Sequence, residues 1–265
     1  MQSRLTLSTH KRDGNTVLGD YFATPPLKLL TLPHHGDGVL HAMQMSSSPG
    51  LLAGDRIDIG ITLAADSALH LSTQAFTRVL SMHAGQQAEQ HHIISQAEGS
   101  CLTYLPHPLV LHGGSTLVQT TRIDLADRCR LIYGEITAAG RVLNGETFAF
   151  ARFSSQLHIR HHGRLLVHDN ICWQPELHHP AVLGQMEGYT HQATLFYADT
   201  NPDRPLKALL DRLYHSLSEQ FSDGLLWGAS LAADNIICLR ALACRAELLQ
   251  QLLQQAAASL QTQAV

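Results

Sequence analysis

The sequence predicts a mainly β fold: a helically wound stack of strands, β-solenoid-like or double-layered, with about two α-helices near the C-terminal third. Three observations carry this. From residue 3 to about 200, short runs alternate apolar and polar residues and are separated by turn residues, the pattern of half-buried strands. Three of these runs resemble one another: "AADSALHLSTQ" (64–74), "QAEGSCLTYLP" (96–106) and "LADRCRLIYGE" (125–135). Each has an acidic turn, a small residue and then an apolar strand, with Ala68, Cys101 and Cys129 read as matching positions. Repetition at such spacing predicts stacked rungs. Finally, the tail changes period from two to that of a helix.

Along the chain, "SSSPGLLAGDRIDIGITL" (46–63) opens with turn chemistry at Pro49-Gly50 and Gly54, and Ile57 and Ile59 then begin a core-facing alternation. "ALHLST" (68–73), "TRIDL" (121–125), "RLIYGEI" (130–136) and "QLHIRHHGRLLVH" (156–168) alternate in the same way. In "YLPHPLVLHGGS" (104–115) two prolines flank His107, which predicts an edge or bulged strand and a docking surface. In "NPDRPLKALLDRLYHSLSEQF" (201–221), Asp203 is placed as an N-cap, Pro205 lies in the first turn, and Leu206, Leu209, Leu210, Leu213 and Leu217 form a stripe. Residues 225–242 read as strand and "CRAELLQQLLQQAAASLQ" (244–261) as a second helix. No long linker intervenes. The expectation is one domain over 1–265, with a β body at about 3–200, a helix at about 203–221, strands at about 225–242 and a C-terminal helix at about 244–261.

The 265 residues carry a net charge of −4 and only 15% charged residues. This argues against nucleic acid or an anionic membrane as partner, since both call for a cationic face, and predicts neutral surface for protein partners. No apolar run is long enough for a transmembrane helix, and the start lacks a signal-peptide pattern. Five cysteines, an odd number and widely spread, read as reduced buried thiols of a cytoplasmic protein. Cys172, beside Trp173, reads as a small buried hydrophobe.

No catalytic signature is present. There is no P-loop, no H-E-x-x-H, no C-x-x-C and no H-x-H, and "GASLA" (228–232) lacks the closing glycine of a nucleophile elbow. Histidine is the unusual residue: 18 in all, with pairs at 34–35, 91–92, 161–162 and 178–179. Imidazole suits nickel, copper or zinc. Neighbours on a strand, however, point to opposite faces, so such a pair is poorly placed to chelate one ion. His158 with His162, or with His168 across the turn at Gly163, is expected to share a face. Asp55 is read either as the cap of its own turn or as a functional carboxylate. Arg141 and Glu146 bracket a turn and are read as an ion pair or a partner-binding knob.

Together, "FATPPLKLL" (22–30), "SSSPGLLAGDRIDIGITL" (46–63), "ALHLSTQAFTRVL" (68–80), "CLTYLPHPLVLHGGS" (101–115), "LIYGEITAAGRVLNGETFAF" (131–150), the "DN" before Cys172 and "CLRALA" (238–243) resemble, in order and spacing, the UreD/UreH urease accessory proteins. The family turn is nearer "PPGGLVGGD"; "SSSPGLLAGD" and the chain length resemble the UreH branch. The resemblance implies a non-enzymatic scaffold with the wound β fold. It implies that the scaffold binds a UreF-like protein, through it a UreG-like GTPase, and apo-urease. It further implies that nickel crosses an internal water-filled channel to urease, where a lysine is carbamylated and a two-nickel site assembled. No tightly bound cofactor is expected, only Ni²⁺ in transit. A transit path should hold its ion weakly, through scattered donors. Asp55, Glu135 and Glu146, with Thr73 and Gln74, are the candidate lining residues. Arg141, Tyr104, His107 and Arg78 are the candidate interface residues. The competing reading is a stand-alone His-rich metal-binding or storage protein.

Overall fold

The structure is a computed structural model and describes residues 1–33, 36–221 and 223–261. The His34-His35 pair lies outside the described residues. The first half of the chain forms β1 (Gln2–Arg12), β2 (Asn15–Ala23), β3 (Leu27–Thr31), β4 (Leu40–Ser46), β5 (Arg56–Leu63), β6 (Ala68–Thr73), β7 (Thr77–Val79), β8 (Ala88–Gln96), β9 (Cys101–Leu105) and β10 (Leu109–Leu111). There follow β11 (Thr116–Leu125), β12 (Arg130–Ala138), β13 (Arg152–His161), β14 (Arg164–Trp173), β15 (His191–Asp199), α1 (Leu206–Gln220), β16 (Leu225–Ala233), β17 (Ile236–Ala243) and α2 (Ala246–Gln261).

These strands make two sheets. One runs β14-β13-β11-β8-β5-β1-β2 and the other β16-β17-β15-β12-β9-β6-β4-β3. From β4 to β13 the chain alternates between them, and each new strand lies parallel to the one a circuit earlier. The mainly β, helically wound stack with two helices is therefore present. β5 and β6 begin and end where the alternation puts them, and Ile57, Ile59, Ile61 and Leu63 all face the core.

The repeat is real but shifted by one residue from the expected alignment. Ala68 pairs with Cys101, and Cys101 with Arg130 rather than Cys129. Cys129 instead matches Ser67 and Ser100, the fully buried small residues that end each tight turn. The preceding residue in each turn (Asp66, Gly99, Arg128) has a positive φ of 57°, 71° and 56°. The turns stack by backbone bonds, Asp66 N–H to Glu98 O and Gly99 N–H to Asp127 O. Each tight turn crosses from the first sheet to the second. The return crossings are longer and carry β7, β10 and a 3₁₀ turn at Val142–Asn144.

The main core fills the space between the sheets. A second core covers the outer face of β12, β15 and β17, where Ile132, Leu195 and Leu239 meet Leu213 and Leu217 of α1 and Leu249 and Leu252 of α2. Burial on both faces explains why β12 and β15 read as nearly unbroken apolar runs. Each such leucine contributes about 1.5–3 kcal/mol by leaving water.

Several expectations need correction. α1 starts after Pro205, and Asp203 makes no cap bond to it; its N–H donates to the Asn201 side chain instead. "YLPHP" is not an edge: β9 lies between β6 and β12, and β10 between β7 and β12. All five thiols are free, but only Cys129 is fully buried; Cys172 and Cys244 are exposed. Trp173 packs against Phe150 and Phe153, leaving Cys172 on the other face of its strand.

Candidate functional site

Near the long-crossing edge, the strands place polar residues at inward positions where the alternation calls for aliphatics. His92 shares a face of β8 with Ile94, Gln119 and Thr121 share one of β11 with Leu117 and Ile123, and all are buried. Buried polar groups need partners, and these partner each other. The Gln90 amide lies 3.0 Å from His92 Nε2, and His92 Nδ1 lies 3.4 Å from Thr121 Oγ1. Thr121 reaches the Tyr133 hydroxyl at 3.3 Å. Tyr133 and Gln119 both donate to Glu135 Oε1, each at 2.5 Å.

Cavities follow this network from rung to rung. The first, of about 170 Å³, is lined by Asp55, Thr73, Gln74, Arg78, Gln44 and Gln90. A second, of about 40 Å³, shares Gln44, Thr73 and Gln90 with it and adds His92, Tyr104 and Glu135. A third, of about 20 Å³, shares Glu135 and Thr137 with the second and adds Ser155 and Asp169. A fourth, open and about 750 Å³, shares Ile171 and Gln192 with the third and adds Cys172, His178 and Arg240. Even the smallest has room for a water molecule. Neighbouring chambers share walls, so the run follows the stack between the two sheets.

The electrostatics are those of a buried polar interior. Burial raises the Glu135 pKa above the usual carboxylate range, against the pull of the Tyr133 and Gln119 hydrogen bonds. Burial also lowers His92 to about 4, helped by the neighbouring His91 charge, so its imidazole is neutral at pH 7. The Tyr133 hydroxyl is pushed well above its ordinary value by burial first and then by Glu135, and it stays a proton donor. Further along, Arg240 donates to Asp169 Oδ1 at 2.7 Å, a charge pair between the last two chambers.

The candidate residues divide. Asp55, Thr73, Gln74 and Glu135 all line the run. Asp55 is 5% exposed and caps its turn: Oδ2 accepts the Leu52 N–H at 2.8 Å and Oδ1 the Met1 ammonium at 2.8 Å. The turn-capping reading of Asp55 therefore holds, with its carboxylate fixed in the wall of the first chamber. Glu146 lies outside the run. Arg141 holds it from two nitrogens and Gly113 N–H donates to it, so its pKa falls to about 2 and the pair fixes the surface turn. Of the interface candidates, Arg141 and Arg78 are exposed. Tyr104 is 1% exposed, T-stacked on His92 and Tyr133, and so lies out of a partner's reach. His107 is half-buried, binds Thr73 through its N–H at 2.8 Å, and lines the second chamber.

The histidine pairs behave differently from one another. His91 points out to Glu89 and Thr120 while His92 points in, as neighbours on a strand should. His158 and His168 face each other across β13 and β14 with ring centroids 4.6 Å apart. His162 does not join them. Sequence reasoning missed His92, Gln119, Tyr133 and Asp169; the legible signal was a polar residue at the apolar parity of an otherwise alternating strand.

The class of protein defined here is a helically wound β-stack with a run of polar chambers between its sheets. The comparisons sharpen this: the model of the UreD urease accessory protein family matches residues 1–265, and the chain belongs to that family. It is 47% identical over 257 residues to a urease accessory protein UreD of Actinobacillus pleuropneumoniae serotype 7 (strain AP76), covering 95% of this chain and 94% of the relative. It is likewise 47% identical over 262 residues to a UreD of Haemophilus influenzae (strain 86-028NP), covering 95% and 96%. No helix among the described residues is long and apolar enough to cross a membrane.

Proposed function

We propose that this chain is a non-catalytic maturation scaffold. In this reading it binds a UreF-like protein and apo-urease, reaches a UreG-like GTPase through the former, and hands Ni²⁺ to urease through the passage between its sheets. Four chambers with shared walls carry the proposal. Nickel is the cargo, and the donors available to it are the imidazoles of His92, His107 and His178, the Cys172 thiol, and carboxylates, amides and hydroxyls. Imidazole and oxygen donors suit a borderline divalent ion. Among the described residues, no three His, Cys, Asp or Glu ligand atoms converge inside the passage, which favours movement over capture. Glu135 is suited to a relay: burial makes its carboxylate charge costly when alone, and a passing dication would offset that cost.

Free thiols throughout fit a cytoplasmic setting. The test is co-purification of the full chain with a UreF-like protein and apo-urease. The reading requires a complex with both and weak nickel binding by the isolated chain. Failure to bind either, with tight nickel retention instead, would favour the storage alternative.

A further inference from the structure

A separate group of ligands sits on the opposite edge of the stack. We propose that Asp127, His161 and His162 form a surface site for a borderline divalent transition metal (Ni²⁺, Zn²⁺ or Cu²⁺), independent of the interior passage. The proposal does not rest on the nickel-transfer reading.

Geometry comes first. His161 ends β13, and His162 is the next residue, with a positive φ of 46°. That conformation is uncommon for a non-glycine residue. Here it breaks the strand alternation that would send the two side chains to opposite faces. The rings come to lie 4.5 Å apart, and both Nε2 atoms lie 2.9 Å from the same oxygen, Asp127 Oδ1. The three ligand atoms all fall within 4.8 Å of one another. Around an ion with bonds of about 2.1 Å, adjacent octahedral ligands are separated by about 3.0 Å. The two carboxylate-to-imidazole distances therefore match an octahedral edge before any ion arrives.

The site is held by backbone as well. His161 pairs with Leu125 in the sheet, and His162 N–H donates to Leu125 O at 3.3 Å. Asp127 belongs to the stacked tight turns, its carbonyl accepting from Gly99 N–H at 3.0 Å. Neither element needs to fold on binding, so little ordering entropy opposes it.

The chemistry narrows the ion. Two imidazoles with one carboxylate select later first-row divalent metals over Ca²⁺ or Mg²⁺, which call for more oxygen ligands. In the structure each Nε2 faces the carboxylate, an arrangement in which each ring places its proton there. A metal would replace those protons: a neutral ring moves its proton to Nδ1, and a doubly protonated ring releases its Nε2 proton to solvent and keeps the one on Nδ1. Side-chain exposure of 25% for His161, 60% for His162 and 57% for Asp127 leaves the remaining positions to water or to a donor from another protein. Asp127 lies in the turn between β11 and β12, and Gln119 and Glu135 lie about 20 Å and about 17 Å further along those strands. An ion here is thus remote from the passage.

The test uses the full untagged chain, titrated with Zn²⁺ and Ni²⁺ by calorimetry at pH 7.5, with Cu²⁺ electron paramagnetic resonance to count nitrogen ligands. In H161Q/H162Q the stoichiometry should drop by one equivalent and the two-nitrogen Cu²⁺ signal should disappear. D127N should weaken that equivalent about tenfold or more, and E135Q should leave it unchanged. All three surface residues are replaceable without touching the core, and circular dichroism checks the fold. An H161Q/H162Q variant that binds the same number of ions with the same Cu²⁺ spectrum would overturn the proposal.

Discussion

Lowering the pH from 7 to 5 should weaken this fold, and His92 should account for a definable share of the loss. Its imidazole is buried, bonded to Gln90 and Thr121 and stacked on Tyr104, with His91 beside it and Tyr133 and Glu135 further along the same network. Burial holds its pKa at about 4, against about 6.5 when unfolded. The sign follows from proton counting. Between these values the unfolded chain binds a proton that the folded chain refuses, so stability is full above about pH 6.5 and falls as the pH drops toward 4. At pH 5 the linkage integral comes to about 2 kcal/mol, nearly all of it lost between pH 7 and 5. Glu135 works in the opposite direction, since its raised pKa favours the folded chain as the pH falls. The assay is therefore a difference: urea unfolding of the native chain and of His92→Gln, each at pH 7 and pH 5. The native chain should lose about 2 kcal/mol more than the variant over that interval. Equal losses would refute the claim that His92 is buried in neutral form.

Two further outcomes follow from burial alone. Leu252→Ala removes a fully buried side chain from the core between α2 and the larger sheet, and should cost about 2–5 kcal/mol in urea unfolding. A thiol reagent should modify Cys172 and Cys244 quickly and Cys129 slowly, because burial encloses the last and raises its pKa; mass spectrometry of the labelled peptides reads the order directly.

The parts of this architecture that depend on pattern were legible in the sequence. Alternation gave β5 and β6 to the residue, and leucine spacing gave α1. The stacked turns were visible as a repeat, yet their alignment slipped by one residue because small residues stand on both sides of the turn, and only the ladder decides whether Cys129 or Arg130 continues it. "YLPHP" was misplaced because proline marks a break in a strand but not what covers it. Tyr104 precedes the break and is interior, and His107 within it faces a chamber. The passage itself was half legible. Asp55, Thr73, Gln74 and Glu135 were candidates through the family resemblance and line the chambers, while Glu146 was a candidate on the same ground and holds a surface turn. What separates them is the pairing of strands distant in sequence, which no single strand's pattern contains. The gathering of His161 and His162 depended on one positive φ, which the strand rule for neighbours could not foresee.

If nickel takes the passage to urease, it crosses from the second chamber to the third past Glu135, which with Thr137 lines both. The direct measurement is nickel content of urease matured with the native chain or with Glu135→Gln, which keeps the size and an oxygen to accept the Tyr133 and Gln119 bonds but removes the charge. The variant should still assemble with its partners while the nickel bound per urease falls several-fold. Full nickel loading by a folded, assembled Glu135→Gln variant would contradict the account.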